Sequence, residues 1–282
     1  MKTIKIAGVP EHFNQPWQLA IENNEFRNQN IDLQWTNIPQ GTGKLCEMLR
    51  NDETDLAVIL TEGIVKDILN GSPSKIVQVY VESPLIWGIH VAAHSRFQTL
   101  SELENARCAI SRRGSGSELM AYVNAHQHGW QTENMQFEIV NTIDGAVEAL
   151  INNRADYFMW ERFMTKPLVD QGIFRHLGNC LTPWPSFVIA VSNKLLDEQP
   201  EIVHQILAVI NAKTKHFKEI EGITTVLAKH FNQKKADIEE WLSRTKWSQE
   251  PLSEEMLNNI QNQLFKTGII DKKGTFAQLA IR

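Results

Sequence analysis

The chain has 282 residues, of which 42% are hydrophobic and 22% are charged, as in ordinary globular proteins with one large domain or two of usual size. Its formal net charge of −5 argues against a nucleic-acid-binding protein, and its three widely spaced cysteines fit no metal-ligand or redox motif. No apolar run reaches the length of a membrane span, so we expect no membrane insertion.

The first part of the chain alternates strand-like and helical segments. Apolar alternation and continuous apolar runs predict strands at residues 2–9, 31–38, 55–60 and 75–81. Helical spacing predicts helices between them at residues 16–24, 42–51 and 64–69. Strands joined by helices are expected to pair in parallel, with the helices covering the faces of the sheet.

After Ser83-Pro84 the same alternation begins again. Strands are predicted at residues 85–93, 106–112, 137–142 and 155–160, with helices at 115–126 and 145–152. A Pro183-Trp184-Pro185 turn then leads to a strand at 187–191. The tail reads as helices near residues 200–209, 224–231, 236–244 and 254–266. A tail with few strands must pack on a sheet that is already built.

These patterns predict two lobes connected by two crossovers. The first lobe is expected to contain residues 1–83 and 190–282, and the second lobe residues 84–189. The hinge is expected near residues 82–86 and 183–189, where prolines interrupt both helix and sheet. The predicted fold class is α/β, with a mixed, mostly parallel sheet flanked by helices in each lobe and a ligand cleft between the lobes.

One phrase occurs twice in the chain. Residues 45–62 read LCEMLRNDETDLAVILTE, and residues 146–161 read AVEALINNRADYFMWE. Each copy has a helical stretch, a polar turn, an Asp (Asp55, Asp156), an apolar strand and a final Glu (Glu62, Glu161). The duplication predicts two lobes of similar build. We expect Glu62 and Glu161 to face each other across the cleft.

Several further phrases resemble a known group of proteins. TLSELENARCAISRRGSGSELM resembles the start of the second lobe in type II periplasmic-binding-protein-like proteins, the solute-binding proteins of ABC transporters. The nearest branch binds alkylsulfonates and thiamine-precursor pyrimidines. GVPEHFNQP, IPQGTGKL, LAVILTEG and SPLIWGIHV resemble a subgroup shared by bacteria and fungi that has no assigned ligand. The resemblance covers nearly the whole chain and implies the type II two-lobe fold, closing over its ligand by hinge motion.

Ligands of open α/β sheets lie beyond the carboxyl ends of the strands, which locates the candidate residues. Arg113-Gly114-Ser115-Gly116-Ser117 opens a helix, where exposed N–H groups and hydroxyls favour an anionic group. The alternative is a plain strand–helix turn with a serine cap. Gly41-Thr42-Gly43 and the turn at Asp144 offer the same two interpretations. We predict the ligand-binding residues to be Glu11, His12, Phe13, Gly41, Thr42, Gly43, Thr61, Glu62, Ser83, Trp87, Arg113, Ser115, Gly116, Ser117, Asp144, Trp160, Glu161 and Trp184.

The candidates leave the charge of the ligand open. Tryptophans suit a flat or apolar ligand body, glutamates suit a cation and Arg113 suits an anion. The candidate ligand classes are therefore an amine-bearing heterocycle, a zwitterion and a sulfonate-like solute. We predict no catalytic residue, since the sequence has no HExxH, no His/Cys cluster and no GxSxG elbow, and we predict no metal and no cofactor.

The leading hypothesis is a substrate-binding protein of an ABC-type uptake system, or a cytosolic relative of one. The alternatives are a cytosolic enzyme on the same fold, resembling menaquinone-pathway enzymes or pyrimidine synthases, and a ligand-sensing module. We expect a monomer whose partners are a small molecule and, if it is exported, an ABC permease. The N-terminus enters the first strand directly, which predicts a cytoplasmic protein as written. It would be periplasmic or extracellular if a signal had been removed.

Overall fold

The structure is a computed structural model that describes residues 1–281. These residues form two compact units. The first unit comprises Met1–Ser83 and the chain from Trp184 onward, and the second unit comprises Pro84–Pro183. The return to the first unit therefore comes earlier than residue 190, the position expected from sequence.

The strands and helices follow one another in the order expected for an α/β chain with a helical tail. The strands are β1 (Lys2–Gly8), β2 (Ile31–Asn37), β3 (Leu56–Leu60), β4 (Ser74–Val81), β5 (Ile86–Ala92), β6 (Cys108–Ile110), β7 (Phe137–Ile139), β8 (Tyr157–Glu161), β9 (Phe174–Leu181) and β10 (Phe187–Ser192). The helices are α1 (Gln15–Glu22), α2 (Thr42–Arg50), α3 (Thr61–Leu69), α4 (Gly116–His128), α5 (Ile143–Ile151), α6 (Arg162–Asp170), α7 (Asn193–Glu198), α8 (Pro200–His216), α9 (Ile223–His230), α10 (Lys235–Arg244), α11 (Glu254–Lys266) and α12 (Phe276–Leu279).

The sheet of the first unit has the strand order β2-β1-β3-β10-β4. β1 pairs in parallel with β2 and β3, whereas β10 pairs antiparallel with both β3 and β4. Four strands therefore point the same way, and β10 runs against them. The residues of β3 and β10 are almost all buried, which explains their continuous apolar sequence.

The sheet of the second unit repeats this arrangement with the order β7-β6-β8-β5-β9. β6 pairs in parallel with β7 and β8, and β5 pairs antiparallel with β8 and β9. In each sheet the reversed strand is the first one formed after the chain crosses from the other unit. The predicted α/β class with mixed, mostly parallel sheets is confirmed.

The repeated phrase corresponds to α2–β3 in the first unit and α5–β8 in the second. Its aspartates have the same structural role in both copies. The Asp55 carboxylate accepts a hydrogen bond from the Lys5 backbone N–H at 2.8 Å, and the Asp156 carboxylate accepts one from the Arg107 backbone N–H at 2.7 Å. Each aspartate thus joins the start of its strand to the neighbouring parallel strand.

The final glutamates of the two copies are not at equivalent positions. Glu161 is the last residue of β8, five residues after Asp156, whereas Glu62 lies within α3, seven residues after Asp55. Leu60 is the residue of the first copy that corresponds to Glu161. The two carboxyl groups therefore have different surroundings.

Two elements of the second unit were not predicted from the sequence. Helix α6 contains Pro167, which lacks the N–H needed for a regular helical hydrogen bond and weakens the helical signal of this segment. Strand β9 is an edge strand in which only two of eight residues are fully buried, and its sequence FRHLGNCL has no regular alternation. Both elements depend on tertiary packing against β5.

Candidate functional site

The predicted ligand-binding residues lie at one edge of the sheet within each unit. In the first unit they follow the carboxyl ends of β1, β2, β3 and β4, and in the second unit those of β6, β7 and β8. Trp184 precedes β10 and Trp87 lies at the start of β5, and both strands run opposite to their neighbours. These two tryptophans therefore belong to the same edges as the other candidates.

Glu62 is the candidate with the most unusual surroundings. Its side chain is 1% exposed, and its Oε2 accepts a hydrogen bond of 2.7 Å from the Trp184 indole Nε1. Its second oxygen, Oε1, is buried and has no hydrogen-bond partner among residues 1–281. Burial raises the pKa of Glu62 from its ordinary value of 4.5 to about 7, although hydrogen bonds from its own backbone N–H and from Trp184 oppose this rise.

The crossover back into the first unit is fixed around Glu62. The Thr61 hydroxyl donates to the Pro185 carbonyl at 2.6 Å, and the Thr61 backbone N–H donates to the Ser186 carbonyl at 3.2 Å. The Ser186 hydroxyl in turn donates to the Ser83 carbonyl at 2.8 Å. The start of α3 and the two ends of the crossover segments therefore form one hydrogen-bonded group.

The glycine-rich turn before α2 lies beside the start of α3. Gly41 has φ +75°, a conformation that favours glycine, and Thr42 and Gly43, both partly exposed, open the helix. A Cβ added to Gly63 would lie 2.2 Å from the Thr42 Cγ2. This close approach places Thr42 next to the helical turn that carries Glu62.

His12 and Phe13 lie inside the first unit. His12 is fully buried; its ring lies 4.0 Å from the Phe231 ring and 5.0 Å from the Trp241 ring, and its Nε2 lies 3.1 Å from Gln233 Oε1. Burial lowers the pKa of His12 to about 4, so the ring is neutral near pH 7. Phe13 is 4% exposed. Both side chains have packing partners contributed by the C-terminal helices.

The serines that open α4 form bonds within their own turn. Ser115 Oγ accepts from the Glu118 backbone N–H at 3.3 Å, and Ser117 Oγ accepts from the Ser111 backbone N–H at 2.9 Å. The exposed Arg113 donates to Glu118 at 2.6 Å. The serine cap, one of the two interpretations of this segment, is therefore present. Asp144 is exposed in the first turn of α5.

Glu161 is buried like Glu62, but it caps a helix. Its side chain is 3% exposed, and its Oε2 accepts from the Met164 backbone N–H at 2.7 Å at the start of α6. Trp87 is its register partner on β5 and contacts Trp160 edge-on, with ring centroids 6.3 Å apart. The Trp87 indole N–H is buried without a partner in the described part of the chain.

Two further buried polar side chains in the second unit were not predicted from the sequence to be functional. Asn124 on α4 is fully buried, and neither end of its amide has a hydrogen-bond partner within residues 1–281. His90 on β5 is 1% exposed, its Nε2 lies 2.7 Å from the Thr165 hydroxyl, and burial lowers its pKa to about 3. The only sequence feature that could have indicated the buried Asn124 is its position within the otherwise apolar stretch 120–125.

Neither a metal site nor a membrane helix occurs in the described structure. Residues 1–281 contain no group of three or more His, Cys, Asp or Glu side chains arranged to hold a metal ion. Within the same range, no helix combines the length and the apolar character needed to cross a bilayer.

Comparison with known proteins confirms the resemblance to periplasmic binding proteins. The family model described as Ca3427-like PBP matches residues 87–180, which is most of the second unit. No curated protein is similar enough in sequence to match the chain.

Solved structures show the same fold over the whole chain. The Candida albicans CA3427 gene product, described as having the generic periplasmic binding protein fold, is 24% identical, with a TM-score of 0.90 over 97% of this chain and 92% of that chain. The alkanesulfonate-binding protein SsuA from Xanthomonas axonopodis pv. citri, bound to MOPS, is 17% identical, with a TM-score of 0.84 over 100% and 99%. The nitrate-binding protein NrtA from Synechocystis is 13% identical, with a TM-score of 0.73 over 96% and 83%. The chain therefore has the periplasmic-binding-protein fold, and its structural neighbours include solute-binding proteins.

Proposed function

We propose that this protein, which has the periplasmic-binding-protein fold, binds a small organic solute and is not an enzyme. It acts as the substrate-binding protein of an ABC-type uptake system or as a cytosolic relative of one. The observation that carries the proposal is the buried Glu62 carboxyl group, which has one bonded oxygen and one without a partner. A solute that donates a hydrogen bond to Oε1 completes this group.

The energetics of Glu62 support a ligand at this position. Burying a carboxyl group without full hydrogen bonding costs free energy, and most buried polar groups in folded proteins have their partners. Carboxyl groups whose pKa is raised by burial are concentrated at functional sites. Glu62 does not cap its helix, unlike Glu161, so helix formation alone does not account for it.

The charges at the edge of the first sheet favour an amine-bearing solute. The predicted ligand-binding residues of the first unit include no lysine or arginine, and the burial that lowers the pKa of His12 to about 4 keeps its ring neutral. Two of these residues, Glu11 and Glu62, are acidic. An N–H group of an amine or heterocycle is the natural partner for a buried carboxylate oxygen. In the second unit Arg113 is already paired with Glu118, which weakens the case for a purely anionic solute. A zwitterion and an amine-bearing heterocycle both fit.

The second unit supplies aromatic surface in this proposal. Trp87 and Trp160 contact each other at the edge where β5 begins and β8 ends. Aromatic rings of this kind bind flat or apolar ligand bodies, and the unpaired Trp87 N–H is available as a donor. The solute is proposed to contact both units, with hinge motion at the two crossovers. If the protein is exported, the loaded form is offered to an ABC permease.

The proposal is tested by measuring which solutes stabilise the protein and whether Glu62 is needed. Calorimetric titration with a panel of amino-substituted pyrimidines, amino acids and alkanesulfonates identifies the class. We expect a nitrogen-bearing solute to bind, and Glu62→Gln to weaken its binding by about tenfold or more, because a charge-assisted hydrogen bond is lost. Gln retains the acceptor for Trp184, which limits structural damage.

The matched control is Glu133→Gln, which removes an exposed carboxylate of the second unit and should leave affinity unchanged. Binding of alkanesulfonates alone, with the same affinity in the Glu62→Gln variant, would contradict the proposal. Chemical conversion of a bound solute by the wild-type protein would contradict the non-enzymatic role.

A further inference from the structure

A small pocket opens on the first unit beside the segment that follows β1. Its volume is about 100 Å³, which is enough for a group of a few heavy atoms but not for a whole metabolite. Its polar lining consists mainly of carboxyl and amide side chains, including Glu11, Asn14, Glu22 and Asn37, with His230 at one side. The pocket lies wholly within the first unit and does not depend on the solute-binding role of Glu62.

The charge of the lining is one-sided. Two carboxyl groups line the pocket, and no lysine or arginine does. Glu11 follows β1, is partly exposed to solvent and forms no ion pair within residues 1–281. Although part of the residue is exposed, burial of the carboxyl group raises the pKa of Glu11 from 4.5 to about 7, and no hydrogen bond or cation opposes the rise. An unopposed carboxyl group of this kind is the expected partner of a cationic group.

Asn14 provides an independent sign that the pocket is adapted to a donor. The residue is 3% exposed, and its Nδ2 donates to the Val9 carbonyl at 2.8 Å. Because a carbonyl oxygen only accepts, this bond fixes which end of the amide is the nitrogen. The other end, Oδ1, is a buried acceptor that has no partner in the described structure. Glu11 and Asn14 both line the pocket, so its wall contains a charged acceptor and a buried neutral acceptor that has no partner among residues 1–281.

We propose that this pocket binds an ammonium group through the Glu11 carboxylate and the Asn14 amide oxygen. An ammonium group carries one positive charge and several N–H donors, so it matches both acceptors. The amide-rich lining suits a monovalent donor better than a divalent metal ion, which prefers several carboxylate oxygens. Glu22 adds a further acceptor at the exposed side of the pocket, whereas Asn37 Oδ1 already accepts a hydrogen bond of 2.7 Å from the Trp35 indole.

The experiment uses methylammonium as the probe and the full-length protein. Titration followed by ¹H–¹⁵N NMR should shift the side-chain amide of Asn14 and the backbone amides that follow β1, in a saturable manner. We expect Glu11→Gln to weaken binding by about tenfold, since a charge-assisted bond becomes a neutral one. Glu133→Gln, with the same loss of charge at an exposed position in the second unit, should bind as the wild type does.

The pH dependence gives a second readout. Methylammonium competes with a proton for Glu11, so its binding should be stronger at pH 8 than at pH 5.5 because Glu11 titrates near 7. Glu22 and His230 also line the pocket, and the nearby His12 is buried beneath Phe231. The share due to Glu11 is the part that disappears in the Glu11→Gln variant.

Two results would overturn the assignment. Potassium binding as tightly as methylammonium would show that the pocket selects for charge and not for N–H donors. Methylammonium binding that is unchanged in Glu11→Gln would place the cation elsewhere. Failure of the pocket would leave the Glu62 site untouched, because Glu62→Gln and Glu11→Gln are tested against different ligands.

Alkylammonium ions with alkyl chains of different length distinguish the two possible sources of the ammonium group, a free small cation and the amino end of a larger solute. A site for a free small cation should accept methylammonium and reject n-butylammonium, because about 100 Å³ cannot enclose the longer chain. A subsite for the amino end of a larger solute should accept both, with the chain extending out of the pocket. Either pattern supports an ammonium group as the occupant.

Discussion

At the scale of single residues, Glu62 is a buried carboxyl group with one hydrogen-bonded oxygen and one oxygen that has no partner among residues 1–281. Its pKa rises from 4.5 to about 7 on folding. The folded protein therefore holds a proton that the unfolded chain has released between these two pH values. The free energy of unfolding therefore falls as the pH rises from 4.5 to about 7. The total decrease is about 3 kcal/mol, at 1.36 kcal/mol for each unit of pKa difference.

This sign leads to a prediction for Glu62→Gln. The variant should be about as stable as the wild type at pH 4.5 and more stable at pH 8, by up to about 3 kcal/mol, because an ionised buried carboxylate is replaced by a neutral amide. Urea unfolding of both proteins at the two pH values measures the difference. His12 and His90, whose pKa values are lowered to about 4 and about 3, oppose this trend in the wild type.

The difference between variant and wild type cancels the histidine contributions, which both proteins share. A stability difference that is the same at pH 4.5 and pH 8 would show that Glu62 does not titrate between these values in the folded protein. Glu133→Gln should show no pH-dependent difference, since that carboxylate is exposed.

The sequence predicts which residues lie at strand ends, but it does not predict which distant residues cover them. The strand-end rule identified Glu62 and Trp184, which form a hydrogen bond across 122 positions of the chain. The same rule selected His12, whose ring is covered by Phe231 and Trp241 from the helical tail. Nothing near His12 in the sequence indicates that cover. Asn14 was missed because only its three-dimensional surroundings leave its oxygen without a partner.

At the scale of elements, the repeated phrase is explained mainly by its aspartates. Asp55 and Asp156 each accept a hydrogen bond from the backbone of the adjacent parallel strand, at 2.8 and 2.7 Å. We expect Asp55→Ala and Asp156→Ala each to lower the free energy of unfolding by about 1 kcal/mol, because the bonds are charge-assisted but lie near the surface. Chemical denaturation measures both variants.

Equal effects would support the same structural role for the two copies. Asp197→Ala provides a control, since this exposed aspartate of helix α7 has no positive φ and should change stability less. A loss confined to one of the two aspartates would contradict the structural equivalence of the copies.

Helix α5 begins in a turn that leaves no room for a side chain at Gly145. A Cβ there would lie 2.0 Å from the Val140 carbonyl oxygen, a backbone atom that cannot move independently of the turn. Gly145→Ala should destabilise the protein by about 2 kcal/mol or more, by displacing the start of α5. Gly114 has φ +74° but open space around it, so Gly114→Ala should cost about 1 kcal/mol from backbone strain alone. Thermal unfolding that ranked Gly114→Ala as the more damaging change would contradict this account.

Sequence reasoning located elements best where burial is complete. The apolar runs at β3, β8 and β10 predicted strands directly, because all or nearly all of their residues face a protein interior. β9 and α6 were missed because an edge strand with polar residues and a helix containing Pro167 carry weak local preferences. In both cases packing against β5 supplies the stability that local sequence does not.

At the scale of the whole molecule, the two sheets have the same strand order, and each has one reversed strand that follows a crossover. This duplication could be foreseen from the repeated phrase and the prolines between the two halves. The ligand could not, because the copies differ in their glutamates and aromatic residues. Proteins with this fold and low identity to the chain are named for binding an alkanesulfonate and nitrate, so the fold does not determine the ligand.

The proposed binding by both units predicts a change in overall size. Small-angle X-ray scattering should show a lower radius of gyration when the protein is saturated with a solute found in the titration panel. The reason is that hinge closure makes the molecule more compact. Glu62→Gln at the same solute concentration should show a smaller change. An identical radius with and without bound solute would contradict closure while leaving binding itself intact.

A solute site built around Glu62 is tested by native mass spectrometry of the gently purified protein, with Glu62→Gln prepared in parallel. We expect the wild type to retain a small organic molecule that contains nitrogen, and the variant to retain much less of it because the hydrogen bond to Oε1 is weakened. Retention of a nitrogen-free sulfonate, or equal retention by both proteins, would contradict a solute site built around Glu62.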